Sequence, residues 1–195
     1  MNGVSLLFAV LVTVLADNLV TLHMLGAGEL ANNAPDLKTA VATGGVVGSC
    51  SAMAALVLWP VDTWLLTPLG VGFFRVLLCV VISTLLTRVE SGLIRRLWPE
   101  SSGVLGRRFI HLEVNSAVLG ATLLAPGAAD TFAGAALWSL SAGLGFFLVI
   151  VLFAGIRIRL EFSSCPRAFQ GFPIAMIALA LLALAFSGFT GMFFS

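Results

Sequence analysis

Six apolar stretches separated by short polar joins fill most of the chain, and the pattern predicts a membrane-spanning helix in each. Their approximate bounds are Val4 to Leu25, Thr39 to Trp59, Val71 to Thr87, Phe109 to Leu124, Phe132 to Ile156 and Phe172 to Phe194. A span needs roughly 20 mainly apolar residues, so little chain remains for a soluble domain. The pattern therefore predicts an all-α, polytopic membrane protein with a single membrane domain over residues 1–195.

Polar side chains interrupt the first and the fourth of these stretches. The polar residues of the first stretch are Asp17, Asn18 and His23, and those of the fourth are His111, Glu113, Asn115 and Ser116. An unpaired polar or ionised group in hydrocarbon is costly, so these groups are expected to face a cavity, a partner helix or a bound cofactor. The two interruptions predict one shared polar site, or ion path, in the middle of the membrane.

The amides and the carboxylates at these interruptions suggest different roles. Asn18 and Asn115 are suited to hydrogen-bonding the backbone groups that a broken helix leaves free. Asp17 and Glu113 fit an ion or proton route, because ionisable groups within spans often mark such routes. The alternative for each carboxylate is that it reaches the membrane interface or pairs with a neighbouring arginine.

The two histidines, His23 and His111, are candidates for the same polar site. Both can change charge near neutral pH, but a histidine near the end of a span is also a common interfacial hydrogen-bonder. On a straight helix His111 and Asn115 share a face while Glu113 points nearly the opposite way, so these three cannot hold one ion together. A broken helix removes that restriction.

The spans divide into two sets of three. An odd number of spans per set inverts the second set, so spans one and four, which are the interrupted ones, become symmetry mates. Leu25-Gly26-Ala27 in the first is echoed by Leu119-Gly120-Ala121 in the fourth. These features together predict two inverted three-helix repeats, about 1–98 and 99–195, whose first helices are broken.

The basic residues predict the orientation of the chain. Of ten lysines and arginines, all but Arg75 lie in the first, third and fifth joins. The positive-inside rule places those joins in the cytoplasm and both termini on the periplasmic side. The third join, from Arg88 to Arg108, is either a short amphipathic piece on the membrane surface or a solvated loop.

Composition narrows the class of protein further. Apolar residues make up 59% of the chain, charged residues 10%, and the net charge is only +1, with a mean hydropathy of +1.10. Soluble domains carry about 25% charged residues, and so small a net charge argues against a nucleic-acid partner. No spacing typical of a catalytic site is present in the sequence, so an enzyme that acts alone is not expected.

Small residues within the spans predict packing. Cys50, Cys79 and Cys165 lie far apart and lack the spacing of a metal site. Cys50 and Cys79 are therefore interpreted as small packing residues inside helices. Gly44 and Gly48 have the four-residue spacing that allows two membrane helices to approach closely.

Four segments resemble, in order and spacing, the A subunit of the Rnf electron-transport complex and its relative, the E subunit of the Nqr sodium pump. They are Asp17-Asn18-Leu19-Val20 with Leu25-Gly26, Val114 to Gly120, Val151 to Leu160 and Ala185 to Gly191. The resemblance covers essentially the whole chain. It implies six spans in an inverted repeat, located in the bacterial inner membrane.

The resemblance also implies partners and a cofactor. Family members pair with a homologous six-helix subunit of opposite topology, beside subunits that carry flavin and iron–sulfur clusters. The pair shares a [2Fe-2S] cluster through two cysteines from each partner, and electron transfer through it is coupled to sodium or proton movement. The family's two cysteine positions are Gly28 and Ser116 in this chain, which is therefore a divergent member without those ligands. The cofactor is left open.

Three functions are consistent with these observations. The first is a divergent A-type subunit that retains the architecture and forms, with its homologous partner, the electron-transfer and ion-coupling core. The second is an independent small transporter or channel built on the same inverted repeat. The third is a scaffold subunit without a cluster.

Overall fold

The computed structural model describes residues 3–32, 37–97, 116–162 and 166–193, and the regular elements within these ranges are all helical. The α-helices are α1 (Gly3–Leu11), α2 (Ala27–Asn32), α3 (Leu37–Val61), α4 (Thr67–Leu69), α5 (Arg75–Leu97), α6 (Ser116–Ala128), α7 (Phe132–Glu161) and α8 (Phe172–Phe193). A π-helical turn, Val12–Ala16, extends α1, and a second, Asp62–Leu66, joins α3 to α4. Short 3-10 turns precede α5 and α8, at Gly72–Phe74 and Arg167–Phe169.

Four helical stretches are long and apolar enough to cross a membrane. They are Leu37–Leu69, Gly72–Leu93, Phe132–Leu160 and Phe172–Met192, and two shorter apolar helices are Ser5–Ala16 and Ser116–Ala128. The all-α, multi-pass prediction is confirmed. The count of six spans and their inverted repeat remain predictions, because the two interrupted stretches form only short helices within the described ranges.

Helices α3 and α7 form the centre of the bundle. Within their apolar windows 56% of the residues are buried, against 17% for α5 and 28% for α8. Gly48 and Gly143 allow the two central helices to meet, since a Cβ on Gly48 would lie 2.7 Å from the carbonyl oxygen of Gly143. Gly44 packs in the same way against Phe147 and Ile150. The close approach predicted from the glycine spacing is confirmed.

The two described cysteines are buried, Cys50 at 1% exposure and Cys79 at 0%. Their interpretation as packing residues is confirmed. The Cys79 thiol donates to the carbonyl oxygen of Leu119 at 3.3 Å, so it also ties α5 to α6.

Two predicted helix ends are wrong. The helix of the first span ends at Ala16, just before the interruption predicted at Asp17 and Asn18, whereas the second span continues past its predicted end at Trp59, through Pro60 and the π-helical turn, to Leu69. Helix α5 runs to Leu97, so the start of the third join is helical rather than a loop or a separate surface piece. Hydropathy marks where apolar side chains stop, whereas a helix ends where its backbone hydrogen bonds stop, and the two positions need not coincide.

Candidate functional site

The first apolar stretch breaks at Asn18, which is completely buried. Its side-chain amide donates to the carbonyl oxygen of Val14 at 2.8 Å, and its side-chain oxygen accepts from the backbone N–H of Val20 at 2.9 Å. Gly145 on α7 makes room for this side chain, because a Cβ there would lie 2.7 Å from the Asn18 nitrogen. The predicted hydrogen-bonding role of Asn18 at a helix break is confirmed. Non-helical backbone is tolerated at this position because protein, not lipid, surrounds it.

Asp17 lies beside this break and has two partners. One carboxylate oxygen is 3.1 Å from His23 Nε2, and the other accepts from the indole N–H of Trp138 at 3.3 Å. The side chains of Asp17 and His23 are about a third exposed, at 36% and 33%. The structure thus brings two of the predicted polar residues together, and among the described residues the partners of Asp17 are a histidine and a tryptophan.

A cavity of about 410 Å³ lies between α1 and α7, beside this pair. Its lining is mainly apolar and includes Phe8, Val12, Thr13, Leu137, Trp138 and Ser141. Because Trp138 both lines the cavity and donates to Asp17, its indole lies between the cavity and the Asp17–His23 pair.

The end of the first interrupted stretch meets the start of α6. The backbone N–H of Gly26 donates to the hydroxyl of Ser116 at 2.9 Å, across 90 residues of sequence. Leu25 packs directly on Gly120. Gly26 has φ +80, and a Cβ on it would lie 2.6 Å from the ring of Phe146, so both its conformation and its surroundings favour glycine. The two Leu-Gly motifs that echo each other in sequence are therefore in contact.

The residues at the family's cluster positions do not fit a [2Fe-2S] cluster. Gly28 has no ligand atom and is exposed, and apart from its own stretch of helix no described atom lies within 4 Å of where its Cβ would be. Ser116 is also exposed, and its hydroxyl oxygen already accepts from Gly26. A serine oxygen is in any case a poor replacement for a thiolate on iron. Across the described ranges, no group of three or more His, Cys, Asp or Glu side chains is placed to hold a metal ion.

The other half of the predicted midmembrane site, His111, Glu113 and Asn115, lies outside the described residues. Ser116 is the member of that segment whose position is described. Its contact with Gly26 joins the two interrupted stretches at one place, while the shared polar site itself stays a prediction.

A polar cluster between α3 and α5 was not predicted from the sequence. Glu90 accepts a hydrogen bond from the hydroxyl of Ser49, and its second oxygen is buried without a partner among the described residues. Beside it, the Cys50 sulfur lies 3.1 Å from the Thr87 hydroxyl. The apolar pattern predicts that the third span ends at Thr87, which places Glu90 in a polar join. The helical spacing of the buried Ser83, Thr87 and Ser91 was the signal that could have placed Glu90 within the span.

An ion pair between Asp62 and Arg75 was also missed. Asp62 is only 3% exposed, and its two oxygens accept from Arg75 Nε at 2.5 Å and from Nη2 at 2.8 Å. This paired geometry ties the end of α3 to the start of α5. Arg75 was the one basic residue outside the three basic joins, and the ion pair explains how the chain accommodates it.

Comparison with known proteins gives a consistent result. The family model described as "Rnf-Nqr subunit, membrane protein" matches residues 6–193. The A subunit of the ion-translocating oxidoreductase complex of Escherichia fergusonii is 34% identical over 180 residues, which cover 92% of this chain and 93% of that relative. The proteins of the same name from Citrobacter koseri and Shigella boydii match with the same identity and coverage.

Proposed function

The chain belongs to the Rnf-Nqr family of membrane subunits, and on this premise we propose that it is the A-type membrane subunit of an ion-translocating oxidoreductase complex. The observation that carries the proposal is the similarity over 92% of the chain to relatives that bear this name. The buried, hydrogen-bonded helix break at Asn18 supports it, because broken helices inside a bundle are typical of proteins that move ions.

The proposed architecture in the membrane is six spans in two inverted repeats, located in the bacterial inner membrane with both termini periplasmic. In this arrangement α1 and α6 are symmetry mates. The contact of Leu25 with Gly120 supports a meeting of the two interrupted spans.

The proposed main partner is a homologous six-helix subunit of opposite topology, together with subunits that carry flavin and iron–sulfur clusters. Gly28 and Ser116 are both exposed, as expected of residues at a contact with another subunit. Because this chain offers no thiolate at either position, its proposed share in electron transfer is to shape the membrane core around carriers that its partners ligate.

The proposed ion-handling groups are the carboxylates of Asp17 and Glu90. Asp17 pairs with His23 next to the helix break, and Glu90 keeps one oxygen buried inside a membrane span, without a partner in the described part of the chain. An ionisable side chain at such a position is expensive and marks a candidate ion or proton route. Glu113 and His111 are retained as candidates from the second interrupted stretch.

The test is to purify the tagged chain from its native membrane in mild detergent and to identify the subunits that come with it. Subunits carrying flavin and iron–sulfur clusters are expected. A chain that purifies alone and still moves ions in liposomes would instead indicate an independent transporter and overturn the proposal.

Ion handling is tested on the same complex in liposomes, by following sodium uptake and proton uptake driven by electron transfer. Asp17→Asn and Glu90→Gln keep the side-chain size and remove the charge, so each is expected to lower ion uptake per electron. Asp130→Asn, at an exposed carboxylate just before α7, is the matched control and should behave as wild type. Unchanged uptake in both variants would remove these residues from the ion path.

A further inference from the structure

The junction between Gly26 and Ser116 suggests how this chain differs from the family pattern. It occupies the place where the family resemblance puts cysteine ligands, yet it is held by groups that need no metal. The Ser116 hydroxyl oxygen is engaged by the Gly26 N–H at 2.9 Å. Ser116 is the first described residue of α6, so this bond fixes that helix to the turn that follows the first interrupted stretch.

Packing closes the same junction from the inside. A Cβ on Gly26 would lie 2.6 Å from the Phe146 ring and 3.2 Å from the Ala117 Cβ, and Leu25 covers Gly120. The interior side is therefore filled by side chains of α6 and α7. The outer side, around Gly28, is open with respect to the described residues.

We infer that this junction is a metal-independent lock, in which the Ser116 hydroxyl and its packed neighbours hold the two interrupted spans together and this chain ligates no iron. The inference builds on the proposed function, because it assigns Ser116, one of the family's two ligand positions, a purely structural role in this subunit. A hydroxyl that accepts a backbone N–H stabilises such a contact by roughly the net value of one hydrogen bond.

The test is Ser116→Ala in the purified complex, with two readouts: iron per complex by mass spectrometry and the temperature of thermal unfolding. The lock predicts unchanged iron and an unfolding temperature below that of wild type, because one hydrogen bond that stabilises the contact is lost. Ser116→Thr keeps the hydroxyl and should keep the wild-type temperature. Ser187→Ala is the matched control, because that serine is exposed and its hydroxyl donates to Leu184 of its own helix.

Three results would overturn the lock. Loss of iron in Ser116→Ala would make Ser116 a ligand, and an unfolding temperature equal to that of Ser187→Ala would remove the stabilising role. An equal fall in Ser116→Thr and Ser116→Ala would show that the hydroxyl is not what matters. If no other subunit co-purifies, the proposed function fails, but the same iron and stability measurements on the isolated chain still decide the lock.

Discussion

Replacing Asn18 with alanine should destabilise the protein more than any change of similar size on its surface. The substitution removes the amide that donates to the Val14 carbonyl and the oxygen that accepts from the Val20 N–H. Because Asn18 is 0% exposed, water does not replace these partners. Leaving a buried polar group unpaired costs about 1–3 kcal/mol, so two such groups predict a loss of roughly 2–6 kcal/mol. The third contact, from the Thr21 N–H at 3.4 Å, is long and adds little.

The free energy of unfolding can be measured by titrating the protein with SDS in mixed micelles and following tryptophan fluorescence. Thr67→Ala, at an exposed threonine on α4, is the control and should change little. Gly145→Ala gives an independent check, because its Cβ would lie 2.7 Å from the Asn18 nitrogen and displace the amide without removing it. A loss below about 1 kcal/mol in Asn18→Ala would refute the argument that this side chain carries the helix break.

Two further predictions concern helix contacts, and the same SDS titration tests both. Gly48→Ala should destabilise the bundle, because the added Cβ would meet the Gly143 carbonyl. Gly45→Ala is the control and should be neutral, because no described atom outside its own helix lies within 4 Å of the added Cβ. Equal effects of the two substitutions would contradict the assigned contact. Asp62→Asn should cost less than the about 3–5 kcal/mol typical of a broken, fully buried pair, because the Arg75 side chain is 40% exposed. A stability equal to wild type would show that the ion pair contributes nothing to the hairpin of α3 and α5.

Hydropathy was sufficient to predict the fold class, and single-residue chemistry predicted some of the contacts. Gly44 and Gly48 pack against α7 because glycine is the residue type that permits such contact, and the sequence shows it directly. Asn18 caps the break because an amide in an apolar stretch must find backbone partners. In both cases the chemistry of the single residue restricts the environment in which it can be buried.

Contacts between distant elements were harder to predict. The sequence shows an aspartate at 62 and an arginine at 75 but not that they pair. Asp62 begins a π-helical turn that follows Pro60, and the sequence around this proline does not predict such a turn. Glu90 was misplaced because hydropathy ended the span at Thr87, too early to include it, while the backbone continues as a helix. At Ala16, by contrast, the helix ends where Asp17 and Asn18 predict the interruption.

The repeated Leu-Gly motif, Leu25-Gly26 and Leu119-Gly120, is a weak sequence signal that corresponds to a contact in the structure. Each motif pairs a large apolar residue with one that has no side chain, so the leucine of one can cover the glycine of the other. Leu25 does cover Gly120, and Gly26 lies against Ala117 one turn earlier on α6. Such packing needs both motifs at once, which gives a physical reason for them to occur together in one chain. It also explains why the Ser116 hydroxyl reaches the Gly26 N–H, since the packed motifs already set the distance between the two segments.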